Sequence, residues 1–278
     1  MKKQKTTIID AVINFLLMIF AFIQVFPLYW LFTFALKDNN EIFGGNVAGL
    51  PKNWRWINFK IAFVEANVFS YFVNSVFVTA VTILGVLIIS ATAAYALERM
   101  IWKARETFLK TILLGLMVPI HAALLPLFLV LSRMHILNSY WALIIPYIAF
   151  GLPMAVYLFI SFFASIPREM EEAAAIDGAG IYKIFFTIIF PLIKPALATV
   201  SIFTFISTWN ELMFAVTFVN KAKYKTLTVG IMSMVGAYTT KWGEIGAGLM
   251  IATIPTIIIY LLLSKQVQDS LVAGAVKG

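Results

Sequence analysis

This chain of 278 residues is 62% hydrophobic and only 12% charged, with a mean hydropathy of +0.92. That balance is too apolar for a soluble globule and belongs with polytopic membrane proteins, so a soluble enzyme is excluded. The net charge of +8 is scattered between apolar runs and forms no long basic stripe, which argues for orientation in a lipid membrane and against a nucleic-acid partner.

Three lysines within residues 1–5 cap an uncharged run at 11–36. The run is longer than a signal-peptide core of roughly 7–15 residues, and no small-x-small cleavage site follows it, so a retained first span is expected. Residues 37–70 read as a polar loop. Its Leu50-Pro51-Lys52-Asn53-Trp54-Arg55-Trp56 segment sets amphipathic rings beside a proline turn, which suits a membrane surface on the extracytoplasmic side. The second span, 71–97, precedes a charged turn with Glu98, Arg99, Lys103, Arg105 and Glu106. The third, 111–132, contains Pro119 and Pro126, each costing up to about 3 kcal/mol in an isolated helix unless neighbours re-satisfy the freed carbonyls. His121, two residues past Pro119, either lines a pathway or packs as a histidine bonded to such a carbonyl, and the packed reading is preferred. The fourth span, 138–163, is interrupted by Pro146 and Pro153.

Residues 167–191 differ in kind, being charged, short-helical and flanked by apolar runs. Pro167 suits a first helical position, and Glu169, Glu171 and Glu172 complement the positive end of the helix. Ala173, Ala174 and Ala175 favour helix and let another surface come close to the backbone. Asp177 and Gly178 should stop this helix. Gly178 or Gly180 can take positive φ and turn the chain into a second short helix, 181–190, which Pro191 is expected to end. Each helix is about ten residues, or roughly 15 Å, so neither crosses a hydrocarbon core of about 30 Å.

The fifth span, 195–219, holds Trp209-Asn210-Glu211. A carboxylate near the bilayer centre costs roughly 2.5–3.5 kcal/mol, so Glu211 should face a partner or a wet cavity. The segment is either a pathway or gate position or a contact between helices. After a loop at 221–244, residues 245–264 make the sixth span and 265–278 the tail.

Six spans put both termini on one side. With the N-terminus inside, that side carries twelve Lys and Arg residues against nine outside, weighted toward the N-terminal cap and the compact 98–110 turn. No Gly is followed by Lys, so a phosphate-cradling G-x-x-x-x-G-K-[S/T] loop is absent, and energy must enter from another chain. There is no H-E-x-x-H and no cysteine, and the two histidines point to no metal site. No catalytic constellation stands out.

The order Glu172-Ala173-Ala174, three residues, Gly178, nine residues, Ile188, one residue, Phe190-Pro191 resembles the EAA loop of ABC importer permeases, with Phe190 where the pattern prefers Leu. The resemblance implies an all-α permease of the type I importer fold, a polytopic membrane protein of six transmembrane helices. It implies that Glu172, Ala173, Ala174, Asp177, Gly178, Ile188 and Pro191 couple the chain to a separate ATPase. The W-N-E segment and the Gly274-Ala275-Val276-Lys277-Gly278 ending are similar to the carbohydrate-uptake, maltose-type second permease branch. That branch implies a second permease subunit, two ATP-binding subunits that hydrolyse the ATP, an extracytoplasmic solute-binding protein, and no cofactor on this chain. A permease for polyamine or phosphate remains an alternative. So do a membrane-embedded enzyme using Glu211 and His121 as acid and base, and a scaffold.

Overall fold

The computed structural model describes residues 8–236 and 238–275, with side chains over 9–236 and 238–264. The basic cap at 1–5, the last three residues and the side chains of the 265–278 tail lie outside the described residues. Helices and turns account for the described chain, and no strand occurs among the described residues. The long elements are α1 (Ile8–Ala35), α2 (Val68–Arg99), α3 (Arg105–Met117), α4 (Ile120–Arg133) and α5 (Trp141–Phe163), followed by α6 (Glu169–Ile176), α7 (Ile181–Leu192), α8 (Lys194–Trp209), α9 (Met213–Phe218) and α10 (Trp242–Ala275). Four of them are long and apolar enough to cross a membrane, and six spans result if each of two bent pairs counts as one.

Prolines set the bends. Between α3 and α4 the chain turns by 95° at Val118-Pro119, where Pro119 adopts extended backbone before a 3₁₀ turn. Pro126 falls in the first turn of the α-helix Leu124–Arg133, where an absent N–H leaves no intrahelical bond unmade. Pro191 does not end the second short helix as its ring chemistry suggests. The chain passes it through wide π turns at Phe185–Ile189 and stays helical to Leu192, then bends by 74° at Ile193 into α8. Widening the turn accommodates a residue that cannot donate back to Thr187.

The chain divides into two compact units, one running to Phe69 and including Ile231–Thr253, the other comprising Ser70–Gly230 and Ile254–Gly278. In the second unit α2 and α5 pack through small residues: an added Cβ on Gly85 would strike Ile148, and one on Gly151 would stand 2.9 Å from Val86. Two apolar cores result. The first joins Val86, Ala94, Phe159, Phe163, Ala174, Ile189 and Val200, the second Val78, Leu143, Tyr147, Phe214 and Phe218. Polar stitches hold the end of the second core. Asn74 donates to the carbonyls of Lys223 and Lys225 at 2.9 Å and accepts from the Tyr140 hydroxyl at 2.8 Å. Asn138, at φ +57°, accepts from the backbone N–H groups of Asn220 and Lys221.

The first unit is organised around Lys37. Its side chain is fully buried, and its ammonium donates to the carbonyls of Asn46 (2.8 Å), Val47 (3.2 Å) and Gly49 (2.7 Å). Burial holds its pKa below the usual lysine value, and the negative charge of Glu41 pulls it partly back. Asn58 donates to the carbonyls of Ala35 and Lys37, both at 2.9 Å, so the stretch expected as a polar loop is folded onto the end of α1. Gly243 is required there, since a Cβ would collide with the Lys37 carbonyl.

Candidate functional site

The handle is built by one turn. Helix α6 ends where Gly178, at φ +82°, donates to Ala175 O (3.0 Å) while Ala179 donates to Ala174 O (2.9 Å), a Schellman arrangement that satisfies two orphan carbonyls. Gly180 is extended and starts α7, so of the two candidate glycines Gly178 makes the left-handed turn. An added Cβ on Gly178 meets nothing within 4 Å, so the position is open as well as conformationally demanding.

The three alanines divide. Ala174 is buried in the first core, while Ala173 and Ala175 are exposed together with Glu172, Asp177 and Gly178. Ile188 packs against that same core, and Pro191 is exposed. The handle also exposes two large side chains that the pattern does not name, Ile176 at 87% exposed and Tyr182 at 80%. The outward side of α6, with Glu172 and Ile176 one turn apart and the small Ala173 and Ala175 to either side, is suited to enter a cleft on another surface.

The opposite side of α6 is tied down. Glu171 makes an ion pair with Arg99 Nε at 3.2 Å and accepts from the Tyr95 hydroxyl at 2.8 Å. Arg99 also donates to the carbonyls of Phe163 and Ile166, and Arg168 donates to Glu98 O at 3.2 Å. A signal was available: Tyr95 and Arg99 are one helical turn apart at the charged end of an otherwise uncharged run.

The Trp209-Asn210-Glu211 segment is a break, and its three side chains separate. Helix α8 stops at Trp209, which is buried and stacks on Phe205 with centroids 5.4 Å apart. Asn210 is exposed. Glu211 turns onto the start of α9, accepting from Phe214 N (2.8 Å) and Ala215 N (3.1 Å), and receives the Tyr147 hydroxyl at 2.6 Å. The carboxylate thus finds helix N–H groups and a phenol as partners. His121 is not the packed residue expected. It lies exposed on the 3₁₀ turn after the 95° bend, edge-on to Phe214 with ring centroids 6.4 Å apart. Among the described residues no group of His, Asp and Glu could hold a metal ion.

A chain of long apolar helices with two sharply bent helix pairs and an exposed, non-spanning short helix defines an all-α, multi-pass membrane protein. Residues 87–274 match the family model described as binding-protein-dependent transport system inner membrane component, and the chain belongs to that family. It is similar to the "Probable ABC transporter permease protein" of Bacillus subtilis, with 40% identity over 91% of this chain and 84% of the relative. It is 31% identical to a diacetylchitobiose uptake system permease of Streptomyces coelicolor, covering 95% and 88%. With a trehalose/maltose transport system permease of Thermococcus litoralis it shares 32% identity over 93% of each chain. A bacterial ABC transporter involved in import of the acidic polysaccharide alginate matches in fold, with a TM-score of 0.80 at 24% identity over 95% of this chain and 99% of that one. The fold is that of a type I importer permease, and the chain is a transport subunit, not an enzyme.

Proposed function

We propose that this permease forms half of the translocation pathway for a sugar or oligosaccharide, pairing with a second permease, two ATP-binding subunits and an extracytoplasmic solute-binding protein. Both termini lie in the cytoplasm, and the spans follow 11–36, 71–97, 111–132, 138–163, 195–219 and 245–264. ATP is bound and hydrolysed on the partner subunits, and this chain carries no cofactor. The handle at 167–191 docks into an ATP-binding subunit through Glu172, Ala173, Asp177 and Gly178, with Ile176 and Tyr182 as apolar anchors. Ala174 and Ile188 serve the same coupling from the inner side, by seating the handle on the bundle, and Pro191 serves it from the exposed end of α7. Around the helix break, Trp209, Asn210 and Glu211 contribute a pathway or gate segment, with Asn210 as the exposed member and Glu211 as the group that fixes the break.

The observation that carries the coupling role is the left-handed turn at Gly178, with the exposed side of α6 facing outward and a buried attachment on the other side. The sugar class is supported by relatives named for diacetylchitobiose, trehalose/maltose and arabinooligosaccharides. These relatives do not favour a polyamine or phosphate permease. The test is reconstitution with the partner subunits in proteoliposomes and uptake of a radiolabelled oligosaccharide panel. Uptake should require both ATP and the binding protein. Accumulation of phosphate or polyamine in place of any sugar would overturn the substrate class.

A further inference from the structure

We infer that Glu171 and Arg99 form the joint through which movement of the handle reaches two spans at once, an inference that rests on the coupling role proposed above. Helix α6 is short and has one buried residue, Ala174, so apolar packing alone attaches it weakly to the bundle. Its rigid attachment is ionic. The Arg99 side chain is 5% exposed and that of Glu171 15%, and the guanidinium reaches in two directions from this point. Toward α6 it pairs with Glu171, and toward α5 it donates to the carbonyls of Phe163, the last residue of that span, and of Ile166, just beyond it.

Tyr95, one turn earlier on α2, completes the junction. Its hydroxyl holds the second oxygen of Glu171, while its ring meets Phe163 of α5 at 5.8 Å and Phe185 of α7 at 5.0 Å. The ends of α2 and α5, the docking helix and α7 thus converge on one buried pair. Neither Arg99 Nε nor Glu171 Oε1 makes a hydrogen bond, so the contact between them is purely ionic, but drawing it apart would leave a buried charge uncompensated on each side, and the pair therefore resists separation as the handle moves. Glu171 and Glu172 are neighbours in sequence with different tasks, one facing the bundle and the other facing outward. Glu171 is accordingly a positioning residue for transport.

The test uses the full complex in proteoliposomes. Glu171→Gln and Arg99→Gln should insert and retain the ATP-binding subunits, while sugar transported per ATP hydrolysed falls at least about five-fold; Arg99→Lys should recover part of the loss. Glu169→Gln, the same charge change at an exposed position of the same helix, should behave as wild type. Wild-type coupling in Glu171→Gln and Arg99→Gln overturns the joint, and so does loss of the ATP-binding subunits, which would assign Glu171 to docking. If either variant accumulates poorly, spin labels at Ile101→Cys and Glu169→Cys in the otherwise wild-type complex decide. The joint requires one distance with and without ATP, and a change larger than about 2 Å, the scale of a helix shift, overturns it. Failure of the proposed function appears differently, as absence of ATP-dependent uptake in the wild type.

Discussion

Tyr147 of α5 donates its phenolic hydrogen to Glu211 Oε2 at 2.6 Å, and the same carboxylate caps α9 through Phe214 N and Ala215 N. The bond ties a continuous span to the break in a neighbouring one. Glu211→Ala removes a cap worth about 0.5–2 kcal/mol and leaves a buried hydroxyl unpaired at about 1–3 kcal/mol. Tyr147→Phe leaves the cap in place and should cost less. Thermal unfolding of the purified chain in detergent should therefore rank wild type, Tyr147→Phe and Glu211→Ala in falling order. A Glu211→Ala midpoint equal to that of wild type would mean that the cap does not hold the break.

Lys37 provides a second stability test. Lys37→Met keeps the apolar stem but leaves the carbonyls of Asn46, Val47 and Gly49 without their common donor, at a cost of about 1–3 kcal/mol. Limited proteolysis should cut residues 46–56 faster in the variant while the spans stay protected. Unchanged cleavage would show that the cage does not organise the segment.

Orientation is open to thiol labelling on a clean background, because the chain has no cysteine. Asn53 and Lys103 are both exposed and sit at opposite ends of one predicted span. Asn53→Cys should react with an impermeant reagent in intact cells, and Lys103→Cys only after permeabilisation. The reverse pattern would invert the proposed topology.

Helices are legible in this sequence because uncharged runs of this length have few alternatives, and the Gly178 turn is legible because a left-handed residue after a helix selects for a missing side chain. The bends are less so. Pro119 and Pro191 announce disruption but not its form, since a 95° turn and a run of π helix are two responses to the same missing N–H. Glu171 and Glu172 are indistinguishable as letters, and only the position of Arg99, far away in the chain, separates their roles. Lys37 likewise looks like a loop charge until the carbonyls of residues 46–49 are folded around it.

The coupling role of the handle is tested most directly at Gly178. With φ at +82° and open space where a Cβ would point, substitution there costs the chain's own fold only a backbone penalty of roughly 1–2 kcal/mol. Gly178→Asn, which tolerates the left-handed region, should be mild, Gly178→Ala intermediate, and Gly178→Asp severe, because it adds a charge to the face proposed to enter the ATP-binding subunit. Glu172→Ala should weaken the same contact. The measurement is co-purification of the ATP-binding subunits with each variant, with membrane insertion followed in parallel. Near-normal insertion with sharply reduced ATPase recovery and uptake in Gly178→Asp is the predicted result, whereas undiminished co-purification and full sugar uptake would contradict the coupling assignment.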